Sequence, residues 1–368
     1  GERERAMADA ARFDRKMAAD EGAGGECVWY EPACGEIRVD GLAFFAQERA
    51  WNRLPASAGP MLRELRPAML ELARHTAGAS LRFCTDSPQI WVRAEVEAPA
   101  YMSHMTPAAQ CGCDCYVRAE GGAWIFAGLT KFLPANSRFC CRLAQNLPGP
   151  MEVCVNLPLY IGVKSVEIGL AAGARLWMPP EHRRRAAAFY GTSITQGGCA
   201  SRPGMAYPAI LSRMLAAPTY NFGFSGNGVG LPELAPVLCA VPGLGALVVD
   251  IEPNAGPEHV LEKNLPRFLS AVRACAPALP VLVLSGTPQP AVRWDDELAR
   301  ACEQWAAFAR EEVRRRKASG DAQIAFADAR ALVGAAGGEA TVDGVHLTDL
   351  GFYALAQGLA PLLETMLG

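Results

Sequence analysis

The sequence predicts a two-part α/β protein in which a β-sandwich precedes a domain built around a parallel sheet. Short runs of strand-forming residues, separated by Gly, Pro, Asn and Asp, fill residues 26–180 and are typical of an antiparallel sandwich. From 186 to 368, continuous apolar runs alternate with helical stretches, which indicates parallel strands covered by helices on both faces. Pro179, Pro180 and the charged residues 181–185 mark the boundary between the two patterns.

Residues 1–25 are expected to be a flexible N-terminus because they are polar, charged and rich in Gly near their end, although residues 2–19 are compatible with a helix. The sandwich strands follow from β-forming runs between turn residues. They are predicted at 36–39, 80–83, 90–96, 113–117, 123–126, 151–156 and 165–170. One helix is predicted at 60–76, where apolar residues recur at roughly helical spacing.

The second domain is predicted from its apolar runs and the helical stretches between them. The strands are expected at 186–190, 219–224, 245–251, 280–284 and 324–327, and the main helices at 207–217, 259–275, 295–317 and 350–366. Ligands bind such sheets at the carboxyl ends of the strands. The residues that follow each strand are therefore the candidates for a functional site.

The composition argues against nucleic-acid and membrane partners. The chain carries 35 basic and 38 acidic residues for a net charge of −3, and it lacks the concentrated basic run of a nucleic-acid-binding face. No apolar stretch reaches the roughly 20 residues that span a bilayer. Its 13 irregularly spaced cysteines favour free thiols and a reducing, cytoplasmic compartment. The chain begins with Gly, so an earlier removed leader stays an open alternative.

Three of the cysteines alternate in the sequence. On a strand, Cys111, Cys113 and Cys115 would share one face, an arrangement that raises the question of a metal site. Tetrahedral zinc sites usually combine C-x2-C pairs from two places in the chain, and this spacing differs. Buried thiols are the simpler interpretation, and no metal is expected.

A serine follows the first predicted strand of the second domain. Ser193 lies in the segment GTSITQG at 191–197, where a sharp strand-to-helix turn would expose its hydroxyl at the sheet edge. The segment is not the G-x-S-x-G elbow of α/β-hydrolases, because Thr195 replaces the second Gly. Taken alone, the pattern also fits a serine that caps a helix.

Two further motifs follow the second and third predicted strands. The glycine-rich segment NFGFSGNG at 221–228 exposes backbone N–H groups. It does not fit a dinucleotide motif, because such a motif would follow the first strand of its βαβ unit and precede an acidic residue about 20 positions on. Asn254 follows the third strand, where its side-chain amide would be able to donate to an oxyanion. A turn-forming Asn after Pro is the alternative.

An Asp and a His follow the fifth predicted strand. Asp343 and His346 are three residues apart, so one turn places the carboxylate beside the imidazole and leaves the other ring nitrogen for a nucleophile. The other four histidines lack such a setting and are expected to have surface or structural roles. They are His75, His104, His182 and His259.

The order and placement of these motifs resemble the SGNH hydrolases, also called the GDSL family, over residues 186–368. The residues that match the family's blocks are Ser193, Gly226, Asn254, Asp343 and His346. Two blocks depart from the pattern. Thr192 stands where the name motif has Asp, and Asn254 lacks the usual preceding Gly and following Asp.

The leading part of the chain resembles the β-sandwich of a bacterial branch of that family. Residues 81–87, 156–160 and 162–163 carry this likeness, so the resemblance covers nearly all of 30–368. It implies a flavodoxin-like three-layer α/β/α catalytic domain over 186–368 after a jelly-roll-like sandwich over 26–180.

The resemblance implies a serine esterase that needs no metal and no organic cofactor. Ser193 would be the nucleophile, His346 its base and Asp343 the group that orients the imidazole. The backbone N–H groups of Ser193 and Gly226 and the side chain of Asn254 would hold the oxyanion. The implied substrates are small acyl esters, above all O-acetyl groups on carbohydrates.

Two other function classes stay open at this point. A lysophospholipase or thioesterase would use the same triad on longer acyl chains, and a catalytically silent carbohydrate-binding relative is the non-enzyme alternative; the complete set of motif residues argues against the latter. Arg202 either lines the pocket or is structural. The aromatic residues that would be able to stack on sugars, or else pack the core, are Trp29, Trp91, Trp124 and Trp177.

Overall fold

In the computed structural model, which describes residues 13–22 and 25–368, the first half of the chain forms two antiparallel sheets. The strands are β1 (Cys27–Tyr30), β2 (Arg38–Asp40), β3 (Ser80–Thr85), β4 (Gln89–Val96), β5 (Asp114–Arg118), β6 (Ile125–Leu129), β7 (Arg138–Gln145), β8 (Met151–Asn156), β9 (Val163–Ala171) and β10 (Leu176–Trp177). One sheet has the order β1-β9-β4-β7, and the other has the order β10-β3-β8-β5-β6 with β2 beside β3.

The two sheets pack face to face through alternate side chains. Ile90 and Val92 of β4 are fully buried, whereas Arg93 between Val92 and Ala94 points to solvent. They share one apolar cluster with Leu81 of β3 and Val153 of β8 in the facing sheet. Alternating burial of this kind is what an antiparallel sheet with one covered face requires. The predicted sandwich is therefore confirmed.

The helix predicted over 60–76 is interrupted. The structure has Gly59–Leu65 and Ala68–Leu72 instead, in addition to the short helices Phe45–Glu48 and Pro107–Cys111. Arg66 leaves the helical region, with φ −154° and ψ 71°, because the ring of Pro67 disfavours helical geometry in the residue before it. The helix over 60–76 was predicted from the spacing of apolar residues, and that prediction did not take Pro67 into account.

Three strands of the sandwich were not predicted. β1 and β10 are only four and two residues long, and β7 carries Arg138 and Arg142 among its apolar residues. The helix expected over 2–19 falls mostly outside the described residues. Within 13–22, the backbone N–H groups of Asp20 and Gly22 donate to Lys131 and Cys140, so this segment runs along the sandwich.

The second half of the chain forms a parallel sheet. Its strands are β11 (Ala186–Gly191), β12 (Thr219–Gly223), β13 (Leu244–Asp250), β14 (Val281–Leu284) and β15 (Ile324–Ala327), in the order β12-β11-β13-β14-β15. The helices are Ser193–Gln196, Tyr207–Leu215, Ala235–Cys239, Glu252–Ala255, Val260–Cys275, Asp296–Ala318, Ala329–Val333 and Asp349–Leu367. All five predicted strands are present, within two residues at each end.

Helices cover both faces of this sheet. Successive residues of β11 point to opposite sides: Phe189 meets the ring of Tyr207 at 5.5 Å between centroids, and Tyr190 meets Phe268 at 5.1 Å. Tyr207–Leu215 and Asp349–Leu367 lie on the first side, and Val260–Cys275 and Asp296–Ala318 lie on the second. The three-layer α/β/α arrangement is confirmed.

One arginine from the segment between β2 and β3 links the sandwich half to the end of β12 in the parallel sheet. Arg53 is only 1% exposed, and its guanidinium donates to the backbone oxygens of Asn221 (3.0 Å), Gly223 (2.6 Å) and Leu72 (2.6 Å). Burial lowers the pKa of Arg53 to about 9. The carbonyl groups at the end of β12 thus depend on a side chain from outside the α/β half.

In the part of the chain that the structure describes, no helix combines the length and the apolar character needed to cross a membrane.

Candidate active site

The sheet brings its strand ends into line. Gly191 at the end of β11 pairs with Gly223 of β12 and with Asp250 of β13. The residues that follow these strands therefore meet at one edge. A side chain at Gly191 would overlap with the Thr195 hydroxyl and approach the Asp250 carbonyl oxygen at 2.7 Å, so the tight turn after β11 requires glycine.

Ser193 is the first residue of a single-turn helix at this edge. Thr192 caps the helix by accepting a hydrogen bond from the Ile194 N–H at 3.2 Å, and Gly197, with φ +108°, ends it. Ser193 itself is 8% exposed. The serine predicted as a nucleophile thus stands at a strand-to-helix turn, and the capping role falls to its neighbour.

Ser193, His346 and Asp343 form a continuous hydrogen-bonded chain. The Ser193 Oγ lies 2.9 Å from His346 Nε2, and His346 Nδ1 lies 2.7 Å from Asp343 Oδ2. The other carboxylate oxygen accepts from the backbone N–H groups of Val345 (3.0 Å) and His346 (2.8 Å), which fixes the turn. This geometry suits transfer of the serine proton to the imidazole.

Hydrogen bonds stabilise the negative charge of Asp343 beside the His346 ring. Partial burial acts to raise the pKa of this carboxyl, but the hydrogen bonds from the His346 ring and from the His346 and Val345 backbones outweigh burial and hold its pKa at about 2. Asp343 is therefore ionised at neutral pH. An ionised partner keeps the Nδ1 proton of His346 in place and leaves Nε2 as the acceptor.

Three hydrogen-bond donors at the same edge have no acceptor among the described residues. The N–H of Ser193 lies at the start of its helix, where no intrahelical acceptor exists. The N–H of Gly226 and the side-chain amide nitrogen of Asn254 also donate to nothing in the described part of the chain. The Asn254 Oδ1 accepts from the Gly228 N–H at 3.3 Å, which directs its amide group.

Buried polar residues around the serine hold its turn in place, and sequence reasoning gave them no role. Asp250 accepts a hydrogen bond from the Thr195 hydroxyl at 2.8 Å and lies 3.4 Å from the hydroxyl of Tyr207. Asn221 donates from its side chain to the Thr195 carbonyl at 2.7 Å. Gln196 accepts from the Ser225 N–H at 3.0 Å. The blocks after β11, β12 and β13 are thereby locked together.

Two further side chains reach the site that the sequence did not single out. His104, from the loop before Pro107–Cys111, places its Nε2 3.4 Å from Asp343 Oδ2. Cys199 lies just after the serine helix, and burial together with the Asp343 carboxylate raises its pKa to about 11. No local motif marks either residue. Only the packing of the sandwich against the sheet brings His104 to the triad.

Arg202 and the four tryptophans considered as sugar-stacking residues contact residues of the sandwich half. Arg202 donates to Asp114 Oδ2 at 2.7 Å and to the Tyr116 hydroxyl at 2.5 Å, with its guanidinium 4.0 Å from the ring centre of Phe126. These contacts favour the structural alternative for Arg202. Each of the four tryptophans has an arginine over its ring: Arg93 on Trp29, Arg142 on Trp91, Arg118 on Trp124 and Arg175 on Trp177.

The cysteines are free thiols. All 13 of them are unpaired, and Cys111, Cys113 and Cys115 are buried in the sandwich core. Burial raises the pKa of Cys111 to about 12. A thiol in such surroundings behaves as a small apolar side chain.

Two family models match the chain. Residues 184–364 match the GDSL-like lipase/acylhydrolase family, and residues 27–176 match the N-terminus of SGNH-hydrolase-type esterases. Together the two matches account for most of the chain, and each falls on the half to which its domain corresponds in the structure. None of the curated proteins compared with the chain matches it.

Solved structures share the whole arrangement. A protein described as a GDSL-like lipase from Bacteroides ovatus is 28% identical, with a TM-score of 0.83 over 92% of this chain and 98% of that chain. A salicylyl-acyltransferase from a tetracycline biosynthetic pathway is 19% identical, with a TM-score of 0.74 over 93% and 98%. A family two carbohydrate esterase from Clostridium thermocellum, in complex with cellohexaose, is 14% identical, with a TM-score of 0.58 over 89% and 98%.

At 19% and 14% identity, the acyltransferase and the Clostridium thermocellum esterase show similarity of fold alone. The family matches and the similarity to the Bacteroides ovatus protein agree with the serine, glycine, asparagine and histidine motifs found at one edge of the sheet. The chain therefore belongs to the GDSL/SGNH hydrolase family, and it is an ester hydrolase.

Proposed function

We propose that this hydrolase removes small acyl groups, in particular O-acetyl groups of carbohydrates, through an acyl-serine intermediate. The observation that carries the proposal is the chain from Ser193 through His346 to Asp343, with distances of 2.9 and 2.7 Å, beside donors without acceptors. A nucleophile, a base and an oxyanion site are the three parts that acyl transfer needs.

In the first step, Ser193 Oγ attacks the ester carbonyl while His346 Nε2 takes its proton. Asp343 stabilises the imidazolium that forms. The negative charge on the former carbonyl oxygen is held by the N–H groups of Ser193 and Gly226 and by the amide of Asn254. When the tetrahedral species collapses, His346 returns the proton to the leaving alcohol, and the acyl group stays on Ser193.

In the second step, a water molecule attacks the acyl-serine. His346 takes one proton from this water, and the oxyanion donors again hold the negative charge. Collapse of the second tetrahedral species releases the acid and returns the proton to Ser193 Oγ. The cycle restores every group and consumes one ester and one water.

A small acyl group is supported by the close packing beside the serine. Ser193 is 8% exposed, and the adjacent Tyr160 is 4% exposed. A side chain at Gly198 would come within 2.9 Å of the Tyr160 hydroxyl and 3.0 Å of His346 Cδ2, so little free space separates these groups. A short chain such as acetyl needs the least room in such a site.

A carbohydrate alcohol is supported by exposed aromatic residues on two segments, one of which also carries His104. Tyr101, 63% exposed, precedes His104 by three residues, and Trp294, 74% exposed, lies on the segment that follows β14. Flat aromatic faces of this kind can stack on sugar rings. Similarity to family two carbohydrate esterases is in keeping with such a substrate.

The test is an assay of wild type, Ser193→Ala and the surface control Ser270→Ala on p-nitrophenyl acetate, butyrate and octanoate. We expect the fastest turnover on acetate and a loss of more than about a thousandfold in Ser193→Ala alone. Acetate release from acetylated xylan then tests the sugar. Faster turnover of octanoate would contradict the small acyl group, and equal rates for wild type and Ser193→Ala would contradict the nucleophile.

A further inference from the structure

We propose that His104, Cys199, Asp343 and His346 form a binding site for a zinc-like divalent metal ion, and that the bound ion switches the esterase off. Each of the four residues offers one ligand atom, and these atoms all lie within 4.8 Å of one another. The effect on activity rests on the proposed function, whereas the metal site itself does not.

The ligand types fit zinc. Two imidazoles, a thiolate and a carboxylate are the groups that Zn²⁺ takes in tetrahedral sites. Bonds of about 2.1 Å place the ligand atoms of a tetrahedron about 3.4 Å apart. Asp343 Oδ2 already lies 3.4 Å from His104 Nε2 and 2.7 Å from His346 Nδ1, so small adjustments complete the site.

Three of the four side chains are partly exposed. The side chains of His104 and Asp343 are 45% and 33% exposed, and that of His346 is 27% exposed. Partly exposed side chains shift by about 1 Å at little cost, since no packed core resists them. The site is also open enough for an ion to enter from solvent.

Acyl transfer leaves two of the four residues unexplained. The mechanism uses Asp343 and His346, but it assigns nothing to His104 or Cys199. Cys199 is held at φ +68°, a left-handed conformation that favours glycine and is strained for cysteine. This strained backbone places a thiol beside the triad, and a loop of the sandwich half supplies the second imidazole from the other side.

Metal binding would prevent His346 from accepting the proton of Ser193. When the ion occupies Nδ1 of His346, the ring proton moves to Nε2, so Nε2 becomes a donor and can no longer accept the proton of Ser193. Cys199 loses its thiol proton to solvent as the sulfur binds the metal, so one proton is released in total. The ion also engages Asp343, which no longer orients the ring.

The test combines metal binding with activity in the full chain. Co²⁺ is titrated into wild type, Ser193→Ala, His104→Ala and Cys199→Ser, and the thiolate-to-metal and ligand-field absorption bands report sulfur ligation and tetrahedral geometry. Zn²⁺ affinity is measured by calorimetry. His259→Ala and Cys275→Ser are matched controls, because both residues are exposed and outside the site. Inhibition of each variant by Zn²⁺ is compared with its own metal-free rate.

We expect one ion per chain, loss of wild-type turnover that a chelator reverses, and affinity at least about tenfold weaker in His104→Ala and Cys199→Ser than in the controls. Binding by Ser193→Ala separates the metal site from the esterase mechanism, because that variant tests binding without turnover. Absence of the thiolate band in both wild type and Ser193→Ala, or equal affinity in all variants, would overturn the proposal.

Discussion

Replacing Asn254 by Ala tests the oxyanion site directly. The side-chain amide nitrogen of Asn254 has no acceptor among the described residues, so it is available to the substrate. Removing one donor of this kind costs about 2.7–4 kcal/mol of transition-state stabilisation, a loss of about 10²–10³ in kcat. Because the donor acts mainly on the developing charge, kcat should fall with little change in KM.

The stability cost of the same change is small. Among the residues that the structure describes, the Asn254 Oδ1 accepts one hydrogen bond, from the Gly228 N–H at 3.3 Å, and that N–H also donates to the Phe224 carbonyl at 3.1 Å. Its loss should lower the free energy of unfolding by no more than about 1 kcal/mol. The effects on catalysis and on stability can therefore be separated in one variant.

The assay compares kcat and KM on p-nitrophenyl acetate with chemical unfolding for Asn254→Ala, Asn254→Asp and the surface control Asn136→Ala. Asn254→Asp keeps the acceptor for Gly228 but places a carboxylate beside the oxyanion, so it should lose more activity than Asn254→Ala. A loss below about tenfold in Asn254→Ala, worth about 1.4 kcal/mol, would show that this amide does not hold the oxyanion.

Three further predictions follow from the charged groups. Asp343→Asn should lower kcat by about 10³–10⁴, because the imidazole loses its fixed tautomer, and the folded structure should persist by circular dichroism. Burial raises the pKa of Asp250 to about 6. Since this folded-state pKa lies above the unfolded value, stability should fall as pH rises from about 4 to 6, by up to about 3 kcal/mol; urea unfolding should show no such fall in Asp250→Asn. Arg202→Ala should lower the melting temperature, since it leaves the buried Asp114 without its cation at a cost of about 3 kcal/mol, while KM stays unchanged.

Local patterns in the sequence were enough to predict the catalytic half. Buried parallel strands are continuous apolar runs, and their carboxyl ends meet at one edge, so Ser193, Asn254 and the Asp343 turn could be assigned to one place before any contact was known. The register of Gly191 with Gly223 and Asp250 is the physical basis of that success.

Contacts between distant segments could not be predicted in this way. His104 reaches Asp343 from a loop of the sandwich half, and no spacing rule connects two positions so far apart in the chain. Arg202 was equally ambiguous, because its partner Asp114 is a buried residue of β5, far from Arg202 in the sequence. The helix break at Pro67 was available from the sequence, since proline restricts the residue before it.

The buried guanidinium of Arg53 has an evolutionary consequence. Its three backbone acceptors include Asn221 and Gly223, which lie at the start of the glycine-rich segment 221–228. A gene fragment that encoded only residues after 180 would lose these hydrogen bonds from a charged donor, each worth about 1.5–3 kcal/mol, and would leave the end of β12 to water. The two halves are therefore expected to be inherited together, and recombination between relatives should succeed only where the crossover keeps Arg53 with a β12 end that accepts it.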